Sequence, residues 1–234
     1  MITQIKQIVS DFAHLFFPAN CEGCGSDTLM PNSALCVKCF FNLPNTGHEK
    51  TAYNQIMQRL NGRVPLQAAM AGYYFRKEGV LRTLIHELKY RDNQNVGIQL
   101  GRMLGKKLSE SHHFDSVDML MPIPLNRKRL RKRGYNQAQI ICEGIIQTWK
   151  PLPIATNLLV RSVNTGTQTK LNRVERSKNV EGVFEIADPT AFIGKHIAIV
   201  DDVITTGSTI EAAANEIKKI KNTKISIIGV ALVV

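Results

Sequence analysis

Asp201 and Asp202 stand side by side at the end of a short β-branched run, and a hydroxyl-rich loop follows them: IAIVDDVITTGST over residues 197–209. Two adjacent carboxylates repel an anion, but they suit the hydroxyls of a sugar, directly or through a divalent cation. The loop behind them suits the anion. Gly207 lets the backbone curl closely, and on this reading a side chain there would fill the anion's place. Loop amides and the first turn of a following helix point partial positive charge at the same spot. Thr205, Thr206, Ser208 and Thr209 add hydroxyl donors. One ligand satisfies both halves, a phosphorylated sugar. An ordinary turn with Ser208 as helix N-cap would need no acidic pair at a strand end. The run before the acids reads as a buried strand and the Ala-rich stretch from residue 208 as a helix. Strand, loop and helix make half a βαβ unit, and open α/β sheets bind ligands at the carboxyl ends of such strands.

Four cysteines carry a second chemistry. Cys21 and Cys24 form one C-x2-C pair, Cys36 and Cys39 a second, with eleven residues between the pairs. Each pair can hold one ion from a tight turn, and Gly25 suits the turn. Four thiolates complete a tetrahedral zinc site with no open position, which makes it structural. A rubredoxin-like iron site would use the same ligands. Two disulfides fit poorly, since no secretory signal is seen and Cys142 would be left over.

The third signal is charge. The chain carries +11, from 30 basic and 19 acidic residues, so it favours polyanions. Six cations crowd into seven positions: Arg127, Lys128, Arg129, Arg131, Lys132 and Arg133. A run of this kind is often a solvated face. Here it sits between the apolar segment 117–124 and a helical stripe at Ile141, Cys142, Ile145, Ile146 and Trp149. That order predicts a basic loop on the same sheet edge as the anion loop. Tyr135 beside it supplies an aromatic surface for a base while the cations track phosphates. Cys142 belongs to the packing stripe.

The remaining pattern is that of an α/β protein. Helices are expected over 51–61, 79–89, 95–112, 136–149 and 208–220, and strands over 68–75, 117–124, 154–160, 197–203 and 225–233. The strand at 68–75 is expected at a sheet edge. Alternation implies a mostly parallel sheet flanked by helices. Residues 1–17 have helical apolar periodicity broken by Lys6 and Asp11, which fits a packing helix and not a signal peptide. No apolar run has the length of a membrane span, and the expected location is cytoplasmic. No P-loop or dinucleotide fingerprint supports ATP or NAD chemistry. Two units are expected, a helix and four-cysteine module over 1–48 and an α/β domain over 49–234. Residues 161–184 are polar and long for a connector, which fits a lid or a surface excursion. Lys89, just past an apolar stripe, either complements a helix C-terminus or meets an anion. His86 is expected to be structural, and His112 and His113 to lie at a helix end.

The segment 200–209 resembles the phosphoribosyl pyrophosphate (PRPP) motif of the type I phosphoribosyltransferases. The order of Lys89-Tyr90, Pro122 to Leu125, Arg133-Gly134-Tyr135-Asn136-Gln137, Arg161, Thr165, Gln168, Leu171, Arg176, Asn179 and Phe184, behind four cysteines, is similar to the ComF family over nearly the whole chain. It departs from that family at Val163, where a second basic residue often follows the first, leaving Arg161 less support. The resemblance implies a zinc module on a phosphoribosyltransferase-like domain. It implies PRPP or a related ribose phosphate as ligand, with Mg²⁺, and a part in DNA uptake or use of imported DNA. Single-stranded DNA and proteins of the uptake machinery are the implied partners. Carried over residue by residue, Asp201 and Asp202 take the ribose side. The 205–209 loop takes the 5′-phosphate. Lys89, Arg133, Gln137, Arg161 and Arg176 complete the substrate site, with 161–184 as its lid.

Two functions follow from these readings. One is a DNA-handling protein that binds PRPP. The other is an active Mg-dependent phosphoribosyltransferase, whose acceptor no residue identifies.

Overall fold

The computed structural model describes residues 20–30, 33–161 and 183–234. The expected helix over 1–17 and most of the segment 161–184, with Arg176, lie outside the described residues. The chain order is α1 (Val37–Phe41), α2 (Gln55–Leu60), β1 (Ala68–Phe75), α3 (Val80–Tyr90), α4 (Gln94–Ser109), β2 (Met119–Pro122), α5 (Arg127–Arg133), α6 (Gln137–Ile145), β3 (Leu159–Arg161), β4 (Phe184–Ile186), β5 (His196–Ile204), α7 (Ser208–Ile217) and β6 (Lys224–Val233).

Among the described residues, four strands form one parallel sheet in the order β1-β6-β5-β2, with β1 at an edge as expected. The β-branched run of β5 alternates between two cores. Ala198 and Val200 face Leu84, Leu88, Leu104 and Ile141 from α3, α4 and α6. Ile197 and Ile199 face Ile56, Leu60, Ala213 and Ile217 from α2 and α7. Burial on both faces is why the strand reads as a continuous apolar run, as parallel strands do. Helices α4 and α6 approach so closely that a Cβ on Gly101 would strike the Ile141 carbonyl oxygen. The protein is therefore a mostly parallel sheet flanked by helices, with a four-cysteine cluster at the N-terminal end of the described chain.

The cysteine segment packs directly on this layer. Leu35, Cys36, Cys39 and Leu43 share a core with Leu81 and Leu84, and Asn93 Nδ2 donates to Glu22 Oε1 at 2.7 Å.

Three expectations need correction. The basic run is a helix, α5, and not a loop. Asn126 caps it by accepting from Arg129 N–H at 3.2 Å, and Gly134 ends it at φ 78° in the left-handed region. Arg, Lys and Leu are good helix formers, and a run with no buried residue can hold its like charges in solvent. The expected strand over 154–160 is instead a single bridge from Ile154 to Leu120, followed by a turn and then β3, which pairs antiparallel with β4. Thr156 and Asn157 interrupt the apolar run and favour local turns over a ladder. His86, expected to be structural beside the packing stripe, is exposed on α3 with its ring 5.0 Å from that of Tyr90 and does not support the core. Elsewhere the differences are at element ends: α4 stops at Ser109, β2 spans Met119–Pro122 and α6 stops at Ile145.

Candidate functional site: an acidic pair in a cationic crevice

The connections leave β5 and β2 in opposite directions. From β5 the chain passes through α7 to its neighbour β6, while from β2 it moves outward to the bridge at Ile154. Such a topological switch point opens a crevice at the carboxyl ends of the two strands. The register places the opening. Pairing of β2 with β5 ends at Pro122↔Val200, and Ile123 N–H makes the last bond, to the Val200 carbonyl at 2.9 Å. Asp201 and Asp202 are the next residues of β5, where its β2 side is open.

The loop after them is braced from below. Gly207 holds φ 81° at the N-cap of α7, and a Cβ there would come 2.9 Å from Leu60 Cδ2. The missing side chain thus makes room for Leu60 of α2 rather than for an anion, which corrects the expectation. Arg59, beside Leu60, donates to the Thr205 carbonyl and to the Val233 carbonyl. Arg63 pairs with Glu211 in the first turn of α7. Nothing local to residues 55–63 marks Arg59, Leu60 or Arg63 in the sequence as braces of this loop. Thr206 Oγ1 and Ser208 Oγ lie 2.8 Å apart, and Thr205, Thr206 and Thr209 are exposed.

The crevice is a cavity of about 260 Å³. Its wall brings together Asp201, Asp202, Thr205 and Thr209 from the loop side. Lys89, Arg129, Arg133, Gln137 and Arg161 face them from four other elements. Lys89 Nζ pairs with Asp202 Oδ2 at 2.9 Å. Lys89 lies in the last turn of α3, where its charge also complements that helix's C-terminus. Asp202 N–H donates to Asp201 Oδ1 at 2.8 Å. Burial pushes the Asp201 carboxyl up to about 8, and the neighbouring Asp202 charge pushes the same way. Burial also lowers Arg161, with Arg129 adding like-charge repulsion. The Arg161 guanidinium sits 5.5 Å from the Phe184 ring centroid.

Gln137 is 2% exposed, and its Oε1 accepts from Arg133 Nη1 at 2.8 Å. That bond fixes the amide orientation and leaves Nε2 buried with no partner among the described residues. Asn136 caps α6 through Ala138 N–H and donates to the Ile123 carbonyl at 2.9 Å, which fixes Gln137 against the end of β2.

The basic helix divides by face. Arg129 and Arg133 line the crevice, whereas Arg127, Lys128 and Arg131 are exposed and line no part of it. Tyr135 is not a free aromatic surface. It packs on the core and its hydroxyl donates to the Leu88 carbonyl. The exposed ring beside the helix is Tyr90, 62% exposed. Its adjacency to Lys89 was the one available hint.

Cys21, Cys24, Cys36 and Cys39 place all four sulfurs within 4.8 Å of one another. A tetrahedron of Zn–S bonds of about 2.3 Å sets sulfurs ~3.8 Å apart. Cys24 Sγ and Cys36 Sγ are 3.7 Å apart. Cys36 N–H donates to Cys21 Sγ at 3.2 Å, and Cys39 N–H to Cys36 Sγ at 3.4 Å, bonds that favour thiolates. Burial raises the Cys21 thiol, but backbone donors from Cys36, Gly23 and Cys24 outweigh it and bring it down to about 7. The donor set fits a four-thiolate metal ion. Cys142 is fully buried, and burial holds its thiol well above the usual range.

Fold and site together define an α/β protein with a charged crevice at the switch point of a parallel sheet and four cysteines positioned to hold a metal ion. No family model matches the chain. Competence protein F of Haemophilus influenzae is 28% identical over 228 residues, which cover 92% of this chain and 98% of that protein. The DNA utilization protein YhgH of Escherichia coli K12 is 30% identical over 137 residues, 57% of this chain and 59% of the relative. Competence protein ComFC of Bacillus subtilis is 32% identical over 108 residues, 46% of this chain and 40% of the relative. The resemblance to the ComF family is borne out by these relatives. Among solved structures, one titled the structure of the allosteric regulatory enzyme of purine biosynthesis aligns with a TM-score of 0.40 and 18% identity. It covers 61% of this chain and 29% of its own. Among the described residues, no helix is long and apolar enough to cross a membrane.

Proposed function

We propose that the protein binds PRPP, or a related ribose phosphate, in the crevice and single-stranded DNA along α5, and that it serves DNA uptake or the use of imported DNA. The observation that carries this reading is the gathering of Lys89, Arg129, Arg133 and Arg161 around an acidic pair beside a hydroxyl-rich helix start. A ligand for such a site has hydroxyls for the acids and phosphates for everything else. The 5′-phosphate lies against Thr205, Thr206, Ser208 and Thr209. The ribose hydroxyls face Asp201 and Asp202. Lys89, Arg133 and Arg161 meet the pyrophosphate, joined by Arg176, and Gln137 Nε2 donates to the ligand.

The acidic pair is a hard-oxygen donor set that suits Mg²⁺ carried in with the pyrophosphate, and the ion would offset phosphate charge there. The outer cations of α5, Arg127, Lys128, Arg131 and Lys132, track a strand. The relatives' names, which speak of competence and DNA utilization, support the DNA half of the reading. Proteins of the uptake machinery are the natural partners. The cysteine cluster holds structural zinc, in a module over 1–48 followed by a domain over 49–234. A cytoplasmic location suits a protein that draws on a phosphorylated metabolite.

Titration calorimetry with ribose 5-phosphate and with PRPP plus Mg²⁺ tests the crevice. No heat at millimolar ligand would sink that half. Anisotropy of a labelled single strand across a salt series tests the other half.

Phosphoribosyltransferase activity is the second reading. The cations collected where pyrophosphate would depart favour it, since fixed charges aimed at a developing anion lower a barrier. It requires pyrophosphate release from PRPP when a nucleophilic acceptor is supplied.

A further inference from the structure

We propose that a second cavity, next to the crevice, seats one base of a bound single strand, with Tyr90 as its stacking surface. The proposal rests on the single-strand reading above and adds where a base goes. The cavity measures about 470 Å³ and is bounded by Lys89, Tyr90, Asp92, Arg129, Lys132 and Arg133, with Tyr135 behind them.

Tyr90 is the last residue of α3, and its ring is largely exposed although aromatic rings gain by burial. The Arg133 guanidinium lies 5.4 Å from the ring centroid and the His86 ring 5.0 Å away. Guanidinium, imidazole and phenol planes all stack on bases. Four cations and one acid line the wall, so an occupant must bring negative charge along with a flat apolar face. A nucleotide has both. Cationic grooves with aromatic side chains are how single strands are held without sequence preference.

The occupant is a unit of a strand because the cations do not stop at the cavity. Arg127, Lys128 and Arg131 are exposed on the same helix and line neither cavity, so the cationic surface extends past both. Lys89, Arg129 and Arg133 line both cavities, so the seated base neighbours the ribose-phosphate site and the two ligands draw on the same cations.

The test uses the full chain, a labelled oligothymidylate, and the variants Tyr90→Leu and Tyr90→Phe. Tyr90→Leu should weaken the oligonucleotide by about tenfold, the order of one base–aromatic stack. Tyr90→Phe should bind as the parent does. Both should keep the parent's thermal shift with ribose 5-phosphate. If Tyr90→Leu does not fold, ultraviolet crosslinking of a 5-iododeoxyuridine strand to the parent protein decides: label on the peptide 86–92 supports the proposal, and label confined to other peptides overturns it. Strand affinity of Tyr90→Leu within twofold of the parent overturns the base seat and leaves salt-dependent strand binding standing. A parent protein that binds no oligonucleotide at low salt overturns both readings. Thymidine monophosphate binding as tightly as the oligonucleotide overturns the strand as occupant.

Discussion

Lys89 Nζ lies 2.9 Å from Asp202 Oδ2, an ion pair that ties the end of α3 to the carboxyl end of β5 across the crevice. Asp202 is 9% exposed with Asp201 beside it, and the lysine offsets the Asp202 charge there.

Lys89→Met should therefore destabilise the apo-protein by about 2 kcal/mol, less than for a fully buried pair because the lysine side chain is 22% exposed. Double substitution with Asp202→Asn should recover part of that loss. Chemical denaturation of the four members of the cycle measures the coupling, and additive losses would show that the pair contributes nothing.

Asp201 sets a pH dependence. Its carboxyl titrates near 8 when folded, against about 3.9 in an unfolded chain. The folded state binds the extra proton, so this residue's contribution is fully present below pH ~4 and is lost as pH rises through 8. Asp201→Asn should raise the melting temperature at pH 8 by several degrees and leave it unchanged near pH 4. A ligand needing the ionised pair, such as ribose phosphate with Mg²⁺, should bind more tightly as pH rises from 6 to 8. A flat profile for both would remove Asp201 from the site.

The loop over 205–209 separates into residues proposed to bind phosphate and residues that brace it. Thr206→Val should abolish the thermal shift from ribose 5-phosphate while leaving apo-stability nearly unchanged. Gly207→Ala acts differently. It places a Cβ at φ 81° against Leu60, and should cost about 1–2 kcal/mol of stability. Arg59→Met should weaken ligand binding without touching it, because the Thr205 carbonyl loses its anchor. Melting curves with and without ligand distinguish the three.

Elemental analysis should find one zinc per chain. Chelation should lower the melting temperature of the whole protein, because Leu35, Cys36 and Cys39 share a core with Leu81 and Leu84. Cys24→Ser should do the same. An unchanged melting curve after complete metal removal would dismiss a structural ion.

The faces of α5 predict a division of labour. Replacing Arg127, Lys128 and Arg131 with Gln should flatten the salt dependence of single-strand binding, by roughly 0.7 for each phosphate no longer neutralised. The thermal shift from ribose 5-phosphate should survive. Arg129→Gln and Arg133→Gln should reduce both, since their side chains line the crevice. Equal effects of the two sets on ribose 5-phosphate would mean that the helix does not divide.

Much of the site was legible along the chain because its parts are short and contiguous. An acidic pair, a glycine and four hydroxyls within nine residues describe one strand end and one helix start. The cysteine spacing describes a metal cluster for the same reason. Charge says which partner a surface suits and not which element carries it, so the basic run reads as a loop until Asn126 and Gly134 are taken as helix caps. The strand expected over 154–160 failed on two polar residues that offer local turns.

The sequence by itself determined the alternation of strands and helices, the loop that suits a phosphate and the four thiols, since each depends on residue types at fixed spacing. Tertiary structure alone decided that Lys89 meets Asp202. It also decided that Leu60 and Arg59 brace a loop far along the chain, and that Arg129 turns inward while Arg131 turns out. It made Tyr90 rather than Tyr135 the exposed ring. These follow from how helices dock on the two faces of one sheet. Such packing depends on side chains distant in sequence, and spacing along the chain carries no trace of it.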